Sequence, residues 1–163
     1  MERLGAELAA EWGVPAARVA RFLPWLDRLG LGSSAVQNLE ENGGTLGWMS
    51  FDLRSVPEDR RMEAWVQLFG IFGMRLPHRE ILGAITAAHP RLNAVDLTLL
   101  GDGAIRVGLL LSGVERGLLD EIVAWGRVAA PEGEGGELWL AYGPGGLILG
   151  SADARPGLNQ PPV

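Results

Sequence analysis

Two apolar runs split by a glycine-aspartate turn restrict this chain more than any other feature. Residues 92–100 (LNAVDLTLL) and 104–112 (AIRVGLLLS) flank Gly101-Asp102-Gly103. Glycine and aspartate tolerate the positive φ that tight hairpins need, so the segment predicts two antiparallel strands. A second pair follows at 138–150, where LWLAY and LILG flank GPGG. Residues 45–53, TLGWMSFDL, predict a further strand. Alternation puts Leu46, Trp48, Ser50 and Asp52 on one face, and Gly47, Met49, Phe51 and Leu53 on the other.

Helical patterns surround these strands. Residues 1–30 read as helical, restarted at Pro15 as a first-turn proline. Val19, Phe22, Leu23, Leu26 and Leu29 form an apolar stripe that Gly30 and Gly32 end. Residues 31–44 read as a connector rich in Ser, Asn and Gly. Residues 77–89 predict a helix opened by Pro77 and closed by Pro90. Ser112-Gly113-Val114-Glu115 has capping-box form and predicts a helix to about 128, with Val114, Leu118, Ile122 and Trp125 on its stripe. The segment 131–137, PEGEGGE, reads as an acidic loop.

Residues 55–73 admit two readings. Ser55-Val56-Pro57-Glu58 also has capping-box form, and Met62, Trp65, Val66 and Phe69 recur at helical spacing. That favours a helix. Yet WVQLFGIF is aromatic and β-branched, and Gly70 and Gly73 each disfavour a helix by ~1 kcal/mol. With a helix, the body resembles a ferredoxin-like sandwich with an added helix and strand. With a strand, three successive α-β-β units appear. Both are α+β, with an antiparallel sheet carrying helices on one face. The expected organisation is an N-terminal helical segment and connector over 1–44, an α+β sandwich over 45–151, and a disordered Pro/Gly-rich tail over 152–163.

At 163 residues the chain suits one domain. Hydrophobic residues make up 47%, which argues against global disorder. No apolar run reaches the ~20 residues of a membrane span, and MERLGAELAAEWG lacks the apolar core of a secretory signal. These point to the cytoplasm and away from a membrane partner. With no cysteine, disulfides and thiolate metal sites are excluded. The formal net charge is −6, and all 14 cations are arginines, scattered and mostly beside acids. Nucleic-acid binders concentrate basic charge to neutralise phosphates, so this pattern argues against such a partner. One segment points the other way. LAAEWGVPAARVARFL spaces Ala9, Gly13 and Val19 like a helix-turn-helix, with Arg18 and Arg21 placed to reach phosphate, and an N-terminal DNA reader is a third reading.

Signals for catalysis are sparse. His78 and His89 lie on one predicted helix, about 16 Å apart in axial rise, too far to share a metal. The glycine clusters run into strands rather than helix N-termini, which suits hairpin turns better than phosphate loops. No nucleophile elbow occurs, and Ser55 and Ser112 read as helix caps. Asp52, Asp96 and Asp102 lie on or beside strands, where the solvent face is the plainer reading. No catalytic residue, metal ligand or cofactor is nominated.

The tryptophans point elsewhere. Six stand beside one tyrosine. Tryptophan is favoured where one end is apolar and the other wet, as at interfaces and ligand grooves. Trp25 and Trp125 fall on core stripes. Trp48, Phe51, Trp65, Phe69 and Trp139 are the expected partner- or ligand-binding residues.

The stretch from 77 to 128 resembles the second half of class I type III secretion chaperones and related small α+β proteins. It is carried by ILGAITAAHPRL, AVDLTLLGDGAIRVGLLLSG and VERGLLDEIVAWGRVA. The segment 14–44 and the hairpin 138–150 depart from that pattern. The resemblance implies a homodimer that holds an extended protein segment in apolar grooves, without enzymatic activity. The expected function is therefore a non-enzymatic protein-binding module, chaperone- or adaptor-like. Its alternative is a small-molecule-binding or enzymatic domain with an aromatic-lined cavity.

Overall fold

The computed structural model describes residues 2–32, 47–71, 91–101, 103–131, 136–143 and 145–151. The predicted helix over 77–89, most of the connector, Asp102, the centre of the acidic loop and the tail lie outside them.

Helix α1 (Glu2–Ala10) turns Leu4 and Leu8, one turn apart, into the core. Gly13 then reverses the chain at φ 63°, a conformation that suits glycine. Pro15 precedes helix α2 (Ala16–Arg28) in extended conformation, and its carbonyl accepts from the amides of Arg18 and Val19. Val19, Phe22 and Leu26 form the buried stripe of α2. The helix closes at Gly30 (φ 72°), with the Leu31 amide donating to Leu26 and the Gly30 amide to Asp27. This paired arrangement satisfies carbonyls that a helix end leaves free. The two helices meet at Gly5, where a Cβ would stand 3.1 Å from Leu23 Cδ1 and 3.2 Å from Val19 Cγ1. Ala9, the small residue of the helix-turn-helix spacing, is exposed and does not make this contact.

Strand β1 (Trp48–Asp52) is followed by helix α3 (Glu58–Ile71), so the helical reading holds over 58–71. Glu58 and Asp59 sit in its first turn, where negative charge suits the positive end of the helix dipole. Ala64 and Leu68, one turn apart, bury against the sheet-side core. That packing outweighs the β-propensity of the aromatic residues.

The hairpin of β2 (Arg91–Leu99) and β3 (Ile105–Ser112) comes next, then helix α4 (Arg116–Gly126) and the hairpin of β4 (Leu138–Gly143) and β5 (Gly146–Ser151). Helix α4 starts later than its capping-box pattern implies. Glu115 occupies the cap position without a side-chain cap, and the Ser112 hydroxyl accepts from Asn93 instead.

The five strands form one antiparallel sheet in sequential order, β1-β2-β3-β4-β5. This differs from the interleaved order of a ferredoxin-like sheet. It also leaves one strand and a helix where the first of three α-β-β units would need two strands. The α+β class with an antiparallel sheet stands.

Alternation divides the sheet into two faces. Met49, Phe51, Val95, Leu97, Val107, Leu109, Leu111 and Leu140 lie on the first, in one buried cluster with residues of α1, α2, α3 and α4. The second face carries a smaller cluster made only of strand residues: Ala94, Leu110, Trp139 and Ala141. The described helices therefore contribute their apolar stripes to one face.

Candidate functional site

The aromatic residues nominated from the sequence divide between the two faces. Phe51 is fully buried on the helix side and packs edge-on against Phe22, with centroids 6.4 Å apart. Its ring serves the core. Trp48 and Trp139 share the opposite face, on β1 and β4, two strands lying between them. Trp65 and Phe69 lie on α3.

The second face holds polar groups in apolar surroundings. Asp96 and Thr98 are 2% and 6% exposed, unusual burial for strand acids and hydroxyls. The Trp139 indole lies over Gly108, where a Cβ would stand 2.7 Å from its Nε1. Only glycine leaves room for the ring. The indole N–H groups of Trp48 and Trp139 are both buried and lack a hydrogen-bond partner. A buried donor without an acceptor costs roughly 1–3 kcal/mol.

A polar network ties the ends of β1, β2, β3 and β4 together. Asn93 is the extra residue of a bulge, set between the Leu92–Leu111 and Ala94–Leu110 pairs. Its carbonyl accepts from the Leu53 amide. Its side-chain amide donates to Glu137 Oε2 at 2.8 Å and to Ser112 Oγ at 3.2 Å. Arg54 donates to both oxygens of Glu137, at 3.1 and 2.9 Å. The hydrogen bond to Glu137 raises the Arg54 guanidinium above its ordinary value, partly offset by desolvation. Arg61 closes the group by donating to the Val56 and Arg54 carbonyls. These hydrogen bonds act as joints between strand ends.

The free edge of the sheet is different in character. Among the described residues, strand β5 pairs only with β4. It is the one described strand without a buried residue. Its sequence, GLILGS, has no charge and no proline, and its register runs unbroken. Natural edge strands usually carry charges, prolines or bulges that block further pairing. The opposite edge, β1, ends in exposed Asp52, whose carboxylate stands 3.8 Å from Arg54.

The exposed large apolar residues gather at that same corner. Trp125 and Ile148, 40% and 39% exposed, are the two among the described residues. Trp125 stacks on Tyr142 of β4 at 5.5 Å, on the helix side. Ile148 stands opposite Ala141, on the other face. The C-terminal end of α4 presses on β5 at Gly126, where an added Cβ would collide with Leu147. The strand is thus held from one side, and no described strand pairs along its other edge. Sequence alternation located this strand but did not identify it as an edge.

The clefts lined by described residues include two open ones. One, of about 300 Å³, lies between α2 and α3 and is lined by Arg18, Arg21, Phe22, Trp25, Gln67 and Gly70. Both arginines are exposed. The other, of about 370 Å³, lies beside the start of β4, among residues that include Val114, Leu119, Glu137 and Ser151. No group of three or more His, Cys, Asp or Glu that could hold a metal occurs among the described residues. No described helix is long and apolar enough to cross a membrane. Comparison with known protein families, curated proteins and solved structures finds no match.

Proposed function

We propose that the chain is a cytoplasmic, non-enzymatic protein-binding module, chaperone- or adaptor-like, that takes up an extended protein segment along β5. The observation that carries this reading is the unguarded edge. Among the described residues its outward N–H and C=O groups have no neighbouring strand, and strand addition satisfies such groups while apolar side chains on both faces supply contact area. Trp125, Leu147 and Leu149 provide that area on the helix side, and Ile148 on the other. Trp48 and Trp139 lie on that second face, four strands and one strand from β5, with Trp48 half-buried and Trp139 almost fully buried.

The test compares association by the wild-type chain, Ile148→Lys, and Trp48→Ala/Trp65→Ala, with circular dichroism to confirm folding. Each is passed over a sizing column with light scattering, alone and after mixing with native-host lysate. Co-eluting protein is quantified by mass spectrometry. The reading expects Ile148→Lys to reduce association at least tenfold, because it places a charge on the pairing edge. Unchanged self-association and unchanged co-eluting proteins in all variants would remove it.

A further inference from the structure

Resting on that edge reading, we propose that the segment paired with β5 is β5 of a second copy, antiparallel, about a two-fold axis at Ile148. The strand reads Gly146-Leu147-Ile148-Leu149-Gly150, the same in both directions. An antiparallel pair centred on Ile148 sets Leu147 against Leu149 of the copy, and Gly146 against Gly150. A two-fold contact sets each position against its mirror position, so here apolar side chains oppose apolar side chains and glycine opposes glycine.

Backbone parity agrees. Gly143 and Gly146 face each other across a two-residue connection, and such a hairpin closes on a hydrogen-bonded pair. Alternation then turns Gly146, Ile148 and Gly150 toward β4, and Leu147, Leu149 and Ser151 toward the open edge. Centring on Ile148 makes the two Leu147–Leu149 pairs hydrogen-bonded and the Ile148 pair non-hydrogen-bonded. Non-hydrogen-bonded partners bring their side chains closest. The flanking glycines leave the two isoleucines room on that face, and the leucines meet on the helix side beside Trp125.

Charge at the seam does not oppose this occupant, although each copy carries a formal −6. Strands β4 and β5 carry no charged residue. The product is a continuous sheet running from β1 of one copy to β1 of the other.

The chain has no cysteine, so single cysteines report the register directly. A non-hydrogen-bonded pair has Cα atoms about 4.5 Å apart, within disulfide reach. Under mild oxidation, Ile148→Cys is expected to form a reducible dimer. Gly150→Cys lies four residues along the strand from its own copy, about 13 Å, and stays monomeric on a non-reducing gel. Asp52→Cys, on the opposite edge, also stays uncross-linked. Light scattering of the wild type is expected to give twice the 17.4 kDa of one chain, and Ile148→Lys to return that mass to one chain. A wild type that stays monomeric up to high micromolar concentration overturns self-pairing. So does a dimer in which Asp52→Cys or Gly150→Cys cross-links and Ile148→Cys does not. If self-pairing fails while a foreign protein is still lost on Ile148→Lys, the edge reading survives without it. If no association depends on Ile148, both fall.

Discussion

Replacing Phe51 by alanine is expected to lower the unfolding free energy by about 3–5 kcal/mol, measured by urea titration with unchanged m-value. The ring is fully buried and meets Phe22 edge-on at 6.4 Å. Phe22 in turn stacks on Trp25 at 5.7 Å. Phe51 is therefore where β1 grips α2, and its removal opens a cavity between sheet and helix that rigid neighbours cannot refill. Trp48 on the same strand is only half-buried and faces the other way, so Trp48→Ala should cost less. A loss below about 1 kcal/mol for Phe51→Ala would mean that α2 does not pack on this strand as described.

The second large effect is expected at Gly108. A methyl group there would stand 2.7 Å from Trp139 Nε1 and 3.3 Å from Asp96 Cβ. Trp139 is 5% exposed, so the indole has little space to swing aside. Overpacking of this kind costs about 1–3 kcal/mol. The cause is separable with a double-mutant cycle. Trp139→Leu removes the ring and the unpartnered donor together, so Gly108→Ala should be nearly neutral in that background. A coupling of at least ~1 kcal/mol is expected between the two positions. Strict additivity would show that the indole does not cover Gly108.

How much of this was legible follows the range of each signal. The hairpins around 101–103 and 143–146 were readable because turn glycines and strand alternation are local. The two faces of β1 were readable for the same reason, since alternation alone sets Phe51 and Trp48 on opposite sides of the strand. The segment 55–73 was balanced because propensity and periodicity disagreed there, and burial of Ala64 and Leu68 decided it. Three features were out of reach. Ser112 carries a capping pattern, but a bulged Asn93 from a neighbouring strand takes its hydroxyl. Gly5 rather than Ala9 makes the helix contact, because α1 crosses α2 near its first turn. The palindrome at 146–150 is plain in the sequence and means nothing until β5 is known to be an edge, and strand order is a property of the whole sheet.

The most direct test of the edge as a binding surface is amide hydrogen exchange along β5, resolved by residue and followed with protein concentration. The account predicts that the outward amides of Leu147 and Leu149 are as protected as that of Ile148 when the edge is paired. On dilution they should lose protection while Ile148 and Gly150, bonded to β4, retain it. Rapid exchange of Leu147 and Leu149 at every concentration, with or without lysate proteins, would contradict the account and leave β5 a bare edge without a partner.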